Sequence, residues 1–383
     1  MTKIIIAGDI FPVPTNFEQF AQGDIETLFG KEIIELFSSS DYRICNLEGA
    51  LTDYPGFCEK TGPTIYAPTK TIRAYKVLGI DCCALANNHI TDAGDVGVID
   101  TIKTLDKAEI NYLGAGVNKD NIKKCCFIQV GEHNICLYNV AETMYNAPTS
   151  EKPGANLYDE YLVCREIESL KKECDYVIVI YHGGAEKFRY PSPQTKQRFH
   201  RMVDSGADMI LSQHTHCVGT EEFYKGAYLL YGQGNFLFRS FNNEFTDTGL
   251  LLELSIEKNK VDIKKHLVRA VGDKVRYDEK QDFTDFYARS AFVSDDAKTK
   301  ELFGEYSLKE LPIYLSVFRK QNVLYRKLRK YCPKIYKRML FQGFERRQLL
   351  RFLHTLRSEQ NREIAIRGIE LYLNNMNKNS ERP

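Results

Sequence analysis

Short apolar runs alternate with amphipathic stretches over residues 3–268, and this alternation predicts strands that alternate with helices. Lys3 to Ala7, Tyr176 to Ile180 and Ala207 to Leu211 are largely apolar runs of strand length that end in polar residues. Ile25 to Phe37 and Thr69 to Leu78 follow a helical pattern. Strands that alternate with helices indicate an α/β fold.

Two predicted hairpins add antiparallel pairing to this pattern. Cys125 to Val130 pairs with Asn134 to Val140, and Leu250 to Ile256 pairs with Val261 to Val268. Hairpins among βα units predict a mixed sheet or two stacked sheets. We therefore expect one domain over residues 1–268, a connector over 269–305 and a helical region over 306–383.

Composition indicates the class of protein but says little about its function. The 383 residues are 43% hydrophobic, which is enough for a sizeable core, and the formal net charge is +1. The 11 cysteines are an odd number without a Cys-x-x-Cys pair, which favours reduced thiols in an intracellular chain. The apolar run Ile4 to Ala7 is too short for a signal peptide, and no run is long enough to span a membrane. We expect a soluble, cytoplasmic protein.

Polar side chains collect where the predicted strands end. These residues are Asp9, Glu48, Asn88, His89, His182, His214, His216 and Asn235. In open α/β sheets ligands bind at the carboxyl ends of the strands. His214 and His216 follow one predicted strand, and side chains two positions apart in extended backbone point to the same side. The pattern predicts one shared site.

Carboxylates, imidazoles and an amide suit a pair of borderline divalent ions such as Mn, Zn or Fe. Two such ions can share a hydroxide nucleophile, and a further histidine can protonate the leaving group. Each residue also has an ordinary structural interpretation. Asp9 could cap a helix, Glu48 could be a surface loop residue, and His182 could be a buried histidine bonded to backbone. The joint placement at strand ends favours the metal site.

Several motifs resemble those of the capsule-synthesis CapA family, which is associated with poly-γ-glutamate production and belongs with the calcineurin-like metallophosphoesterases. They are Gly8-Asp9, Asn46-Leu-Glu48, Gly79 to His89 with Asp92 and Gly94, Gly114-Ala-Gly116, His182-Gly-Gly with Glu186, Pro191 and Gln194, Gly206-Ala-Asp, His214-Thr-His216 and Gly234-Asn-Phe236. The resemblance covers residues 3–260. It implies a four-layer α-β-β-α metallophosphoesterase-like sandwich. The helical C-terminal appendage, which the sequence pattern predicts, lies outside the resemblance.

The resemblance also implies roles. Asp9 and His216 would hold one divalent ion and Asn88, His182 and His214 the other, with Glu48 bridging. His89 would be the acid–base residue, and Lys60, Glu186 and Asn235 would contact substrate. One departure concerns Phe11, which stands where the wider superfamily has a histidine ligand. We therefore expect weaker binding at the first of the two ion positions.

Two functions remain open at this point. The first is a metal-dependent hydrolase of phosphoester or amide bonds that acts on an anionic polymer or a phosphorylated small substrate. The second is a non-catalytic accessory subunit of a polymer-synthesis complex that uses the same site for binding. Nucleic acid is not an expected partner, because no recognition motif is present.

The C-terminal region carries a separate charge pattern. Residues 319–351 contain twelve Lys or Arg and a single acid, Glu345, with aromatic residues interleaved. The helical pattern is expected to break at Pro312 and Pro333. One interpretation is a helical bundle with a solvated charged face. The other is a basic surface that contacts an anionic membrane at its inner face, an acidic polymer or a synthesis complex.

Overall fold

The computed structural model describes residues 2–56, 58, 63–142, 146–238, 243–257, 260–315 and 323–341. The chain divides into two compact units, Met1–Phe303 and Gly304–Pro383. The strands are β1 (Thr2–Ile10), β2 (Tyr42–Leu47), β3 (Ala50–Leu51), β4 (Tyr66–Ala67), β5 (Cys82–Ala84), β6 (Asn111–Leu113), β7 (Ala115–Gly116), β8 (Cys125–Val130), β9 (His133–Ala141), β10 (Gly154–Ala155), β11 (Tyr176–His182), β12 (Met209–Gln213), β13 (Glu221–Tyr224), β14 (Ala227–Leu230), β15 (Asn235–Leu237), β16 (Thr248–Glu257), β17 (Lys260–Val271) and β18 (Lys274–Tyr277).

Helices separate many of these strands. They are α1 (Phe17–Gln22), α2 (Ile25–Phe29), α3 (Lys31–Ser38), α4 (Ile72–Leu78), α5 (Gly94–Ala108), α6 (Glu160–Leu170), α7 (Pro193–Asp204), α8 (Thr284–Ser290), α9 (Asp296–Leu315), α10 (Val323–Tyr331) and α11 (Pro333–Phe341). Short 3₁₀ turns at Thr69–Thr71 and Lys119–Asn121 complete the regular structure of the described residues.

Two large sheets form the centre of the first unit. Within the described residues, the first sheet has the order β18-β17-β16-β1-β2-β5-β6, with β15 also paired to β1. Its β1, β2, β5 and β6 are parallel, whereas β16, β17 and β18 run antiparallel. The second sheet has the order β13-β14-β12-β11-β9-β8, with parallel central strands and antiparallel edges. Each predicted hairpin is present, as β8–β9 and β16–β17.

Alternate residues of each central strand face opposite layers. In β1, Ile4 and Ile6 belong to a cluster shared with the second sheet, whereas Ile5 and Ala7 belong to a cluster formed with α1 to α5. In β11, Ile178 and Ile180 join the shared cluster, and Val177 and Val179 join a third cluster with α6 and α7. The two sheets therefore pack face to face with helices outside, and the predicted α-β-β-α sandwich is confirmed.

The predicted helix from Ile25 to Phe37 is two helices. Gly30 adopts φ 79°, where it ends α2 and begins α3. A glycine reaches this left-handed conformation without a steric penalty, so the chain can turn there. The preceding α1 was not predicted. Its Phe20 is fully buried against Phe29 and Tyr75, so packing stabilises a helix whose short local pattern was not conspicuous.

The first unit extends beyond the boundary expected at residue 268. Strand β17 continues to Val271, β18 pairs with it, and Phe286 of α8 is buried in the inter-sheet cluster. Residues 269–303 of the expected connector therefore belong to the first unit, to which they contribute the end of β17, β18, α8 and the start of α9. The many acids of this segment had suggested otherwise, but acids such as Asp278 sit in turns, where they accept hydrogen bonds.

The second unit is described over two helical stretches. Helix α9 continues through Pro312, contrary to the expected break, and ends at Leu315. Pro333 begins α11, which contacts α10. Much of the basic segment 319–351 lies outside the described residues, so its membrane or polymer contact stays a prediction. Among the described helices, none combines the length and apolarity of a membrane span.

Candidate metal centre

The first sheet delivers three polar side chains at the carboxyl ends of neighbouring strands. Asp9 is the penultimate residue of β1, Glu48 directly follows β2, and Asn88 lies four residues beyond β5. Asp9 and Glu48 are fully buried, and Asn88 is nearly so. Because β1, β2 and β5 are adjacent and parallel, their ends meet at one edge.

The second sheet contributes three histidines to the same edge. His182 is the last residue of β11, and His214 and His216 follow the adjacent parallel strand β12. The two later histidines do not continue in extended backbone as predicted. Their φ angles are 82° and 53°, in the left-handed region that non-glycine residues rarely adopt. Each such residue costs about 1–3 kcal/mol, and this kind of strain concentrates at functional sites. The turn, and not strand alternation, aims both rings inward.

One set of ligand atoms, here called the first group, consists of Asp9, Glu48 and His216. One ligand atom from each residue lies within 4.8 Å of the others. Asp9 Oδ2 is 3.6 Å from His216 Nδ1, and Glu48 Oε1 is 3.7 Å from His216 Nε2. Asn46 Nδ2 donates to Asp9 Oδ1 at 2.7 Å, and His216 Nδ1 lies 2.8 Å from Asn235 Oδ1. Donation from Nδ1 to that amide oxygen leaves Nε2 as the ligand atom of His216.

The second group consists of Glu48, Asn88, His182 and His214. Glu48, His182 and His214 each offer an atom within 4.8 Å of the others, and Glu48 Oε1 is 3.5 Å from His182 Nε2. His182 Nε2 is 2.8 Å from Asn88 Oδ1, and the His182 and His214 ring centroids are 5.0 Å apart. Glu48 thus belongs to both groups, which is the position that a bridging carboxylate requires.

Buried atoms without hydrogen-bond partners test whether these residues suit metal ions. Among the described residues, Asp9 Oδ2, both Glu48 carboxylate oxygens and His214 Nδ1 are buried and make no hydrogen bond. A buried polar atom left unpaired costs about 1–3 kcal/mol, and more for a charged group. Four such atoms at one point are well suited to divalent ions, and oxygen and imidazole donors fit Mn, Zn or Fe.

The pKa shifts of the site residues also favour metal binding. Burial raises the pKa of Asp9, although the neighbouring His216 opposes the change. Burial raises the pKa of Glu48 well above its usual range, and the charge of Asp9 adds to this. Burial lowers the pKa of His182 well below its ordinary value and that of His214 to about 4. Neutral imidazole is the form that binds metal, and a divalent cation favours ionised carboxyls.

His89 lies beside these groups and is held by a buried carboxylate. Its Nδ1 is 2.6 Å from Asp92 Oδ2, and Asp92 Oδ2 also accepts the Ile65 backbone N–H at 2.7 Å. The His89 backbone N–H donates to Asn87 Oδ1, so the ring and its backbone are both fixed. With Nδ1–H directed to Asp92, Nε2 is the ring atom that can exchange a proton with a substrate.

The predicted substrate contacts are placed differently from one another. Glu186 is exposed, and its negative charge adds to the rise in the pKa of Glu48 and opposes the fall in the pKa of His214, so it lies near the centre. Asn235 is buried, and both ends of its amide are used within the protein, since Nδ2 donates to Thr246 O while Oδ1 faces His216. These bonds place it against His216, and its contact with substrate stays a prediction. Lys60 lies outside the described residues.

Sequence reasoning gave no role to two residues that organise the site. Asn46 donates to Asp9 and lies 3.5 Å from His182 Nδ1, so it touches both groups. Glu142 accepts from Tyr181 Oη and the Gly184 backbone N–H, beside the loop that follows His182. Asn46 could have been found, because it is a polar residue at the end of a buried strand. Glu142 gave the same kind of signal, since it directly follows the buried strand β9, but none of the recognised motifs includes it.

Phe11 occupies the position where a further ligand was expected. Its ring is buried directly against Gly49, since a Cβ added to Gly49 would lie 2.6 Å from two ring atoms. Gly49 has φ 148°, so a side chain there would also be strained. The glycine after Glu48 therefore makes room for the aromatic ring, and the first group keeps three candidate ligands.

Comparisons with known proteins agree with the resemblance in the sequence. The family model described as "Bacterial capsule synthesis protein PGA_cap" matches residues 3–240. The "Capsule biosynthesis protein CapA" of Bacillus anthracis is 30% identical over 218 residues, which are 54% of this chain and 53% of that protein. A "Probable polyglutamine synthesis accessory protein" of Mycobacterium tuberculosis is 28% identical over 211 residues, covering 52% of this chain and 56% of that protein. The chain thus spans about half the length of these relatives.

Solved structures show a more distant likeness. A structure described as a novel phosphatase from Mycoplasma pneumoniae matches with a TM-score of 0.45 and 16% sequence identity. The match covers 74% of this chain and 98% of that one.

Proposed function

The chain belongs to the bacterial capsule synthesis protein PGA_cap family, and we propose that it is a divalent-metal-dependent hydrolase. Its substrate is a phosphoester or a γ-linked amide bond in an anionic polymer of the poly-γ-glutamate type or a related capsule precursor. The names of its relatives, which refer to capsule and polyglutamine synthesis, support this substrate class. The cytoplasm is the proposed location.

One observation supports the proposal above others. Two carboxylates and three imidazoles converge at the joint edge of two sheets, and four of their ligand atoms are buried without hydrogen bonds among the described residues. A protein keeps such atoms unpaired only where something else satisfies them, because each one lowers the stability of the fold. Two divalent ions would satisfy all four.

The residues of this centre have different roles in hydrolysis. Divalent ions bound there supply Lewis acidity toward the phosphoryl or carbonyl group. Asp9 and Glu48 would supply negative charge to hold the ions, and Asn46 fixes the Asp9 carboxylate. His89 donates a proton from Nε2 to the leaving group, and Asp92 holds its ring in the required tautomer.

The proposal is tested by restoring Mn, Zn or Fe to the purified full-length chain. Elemental analysis should find up to two ions per chain, and hydrolysis of an aryl phosphate or a γ-linked glutamate oligomer should depend on the added metal. A protein that takes up no stoichiometric metal would contradict the proposal.

His89→Ala separates proton transfer from metal binding. We expect the variant to keep its metal and to lose about 10²–10⁴-fold in turnover, the usual contribution of a general acid. Elemental analysis and initial rates measure the two effects on the same sample. His133→Ala, a histidine at the start of β9 far along the sheet from the site, is the matched control. Loss of metal in His89→Ala would show that its role is ligation.

A non-catalytic accessory role is the second candidate. The relative in Mycobacterium tuberculosis is described as an accessory protein, and a metal centre can bind an anionic chain without cleaving it. In that case the metal-loaded protein would bind a γ-linked glutamate oligomer with the same metal dependence, but no product would form over long incubation. Binding and product formation therefore need to be measured together.

A further inference from the structure

Two arginines approach the turn that carries His214 and His216. Arg189 belongs to the loop after β11, and Lys187 in that loop donates its backbone N–H to Thr215 O at 2.7 Å. Arg289 of α8 donates from Nη2 to Val218 O and Gly219 O, each at 3.4 Å. Both arginine-bearing segments are thus bonded to residues within three positions of His216.

Neither arginine has a full set of acceptors. Arg189 Nε and Arg289 Nε are buried without a hydrogen-bond partner among the described residues. Glu244 Oε1 lies 3.8 Å from Arg189 Nη2, which is beyond hydrogen-bond distance, and its side chain is 74% exposed. The two bonds of Arg289 to backbone oxygens are long and weak. A guanidinium presents five donors in a rigid fork, so most of this donor capacity finds no acceptor among the described residues.

The two guanidinium groups also lie near each other. Burial lowers the pKa of Arg289, and the positive charge of Arg189 lowers it further. The face of Arg189 is fixed over the Phe245 ring, with its guanidinium carbon 4.4 Å from the ring centroid. The next residue, Thr246, accepts a hydrogen bond from Asn235, which in turn faces His216. The segment that packs against Arg189 therefore also holds Asn235, which positions His216, a candidate ligand of the first group.

We propose that Arg189 and Arg289 bind an oxyanion of the substrate, a carboxylate or a phosphate, beside the metal centre. The inference rests on the proposed function, because it assumes that an anionic chain lies across that centre. It goes further by naming the residues that hold the acidic group next to the bond being cleaved. Two guanidinium forks match the paired oxygens of a carboxylate or phosphate, and such an anion would supply the acceptors that both Nε–H groups lack.

This arrangement predicts selectivity for substrates with more than one acidic group. A substrate with only the reacting group would occupy the metal centre alone. A γ-linked glutamate oligomer would occupy the metal centre and the arginine pair together, so its affinity should depend on both. An aryl phosphate without a second acid should not depend on the arginines.

The test is calorimetric binding of a γ-linked glutamate trimer to the full-length chain with restored metal. Arg189→Gln and Arg289→Gln should each weaken binding about 10- to 100-fold, as expected when a charge-assisted bidentate contact is lost. The affinity of Arg189→Lys for the trimer should lie between those of wild type and Arg189→Gln. Lysine keeps the positive charge but cannot make the paired hydrogen bonds of a guanidinium. Arg165→Gln on α6, which removes an equal charge from a side chain paired only with Tyr161 in the described residues, should bind as wild type.

Inorganic phosphate distinguishes the two sources of the oxyanion. If phosphate competes with the trimer in wild type and not in Arg189→Gln, the pair recognises phosphate as well as carboxylate. If it competes equally in both, phosphate acts at the metal centre and the arginines read carboxylate. The trimer affinities of the arginine variants decide whether the anion site exists, and the phosphate competition assigns the oxyanion that it recognises.

Failure of this inference differs from failure of the proposed function. Trimer binding that depends on the arginines in a protein without turnover would refute the hydrolase and leave the anion site intact. Normal metal content and turnover with unchanged trimer affinity in Arg189→Gln and Arg289→Gln would overturn the anion site alone. Binding of neither probe to wild type would also overturn it. Metal content and melting temperature of each variant identify any misfolded protein, for which Arg189→Lys and Arg289→Lys give the decisive measurement.

Discussion

The two halves of the candidate metal centre share Glu48 but are built differently. The first group has two carboxylates and one histidine, and neighbouring amides hold Asp9 and His216 from behind. The second group has one carboxylate, an amide and two histidines, and His214 Nδ1 has no hydrogen-bond partner among the described residues. The second group therefore has one more candidate ligand than the first, and it has more imidazole nitrogen atoms among its ligands.

One centre can therefore contain two unequal binding positions. More protein ligands and more imidazole favour tighter binding of borderline ions such as Zn or Fe. A position richer in carboxylate suits harder ions such as Mn. Because Phe11 fills the place of a further ligand, we expect the second group to fill first and the first group to bind more weakly.

The largest effect is expected for Glu48→Gln, because this residue belongs to both groups. Elemental analysis should show loss of both ions. Ligand at 100 times its Kd stabilises a protein by about 2.7 kcal/mol, so the variant should also lose a metal-induced rise in melting temperature of roughly 5 °C.

Without metal, Glu48→Gln should melt no lower than metal-free wild type, since burial already disfavours the charged carboxylate. Glu18→Gln, an exposed substitution on α1, is the control. Retention of two ions by Glu48→Gln would remove the bridging role.

Single-group substitutions should each remove one ion. His214→Ala deletes a ligand of the second group, and Asp9→Ala deletes one of the first. Titration calorimetry should show that His214→Ala loses the tighter of two steps and Asp9→Ala the weaker. The same step lost in both variants would mean that the two groups bind a single ion.

Asn235→Ala should weaken the first group without emptying it. Its Oδ1 orients His216, and loss of such a partner costs about 10- to 100-fold in metal affinity. The step assigned to the second group should not change, which serves as the internal control. An equal change in both steps would indicate a general loss of structure.

The smallest change expected is a gain from Phe11→His. An imidazole beside Gly49, the residue next to Glu48, would add a ligand to the first group and tighten the weaker step by up to about tenfold, or 1.4 kcal/mol. Phe11→Leu removes the same ring without adding a ligand and should not tighten binding. Equal behaviour of the two variants would show that position 11 does not reach the ion.

Local sequence patterns were sufficient to locate the central strands and the candidate ligands. The central strands could be recognised as apolar runs because both of their faces are buried. Ile4 and Ile5 of β1, for example, are buried against opposite layers. Polar residues at the ends of such runs stood out for the same reason, so Asp9, Glu48 and His182 could be named from the sequence alone. These signals are local and do not depend on which strands are neighbours.

How those residues meet, and what holds them, depends on the tertiary structure. The division into two groups follows from which strands are adjacent, and the aim of His214 and His216 follows from left-handed backbone that no residue pattern had indicated. The roles of Asn46 and Asn235 and the approach of Arg289 to the site arise from contacts between residues far apart in the chain. Periodicity records which side of an element is buried, whereas partners across sheets are set by packing, and packing is a property of the whole fold.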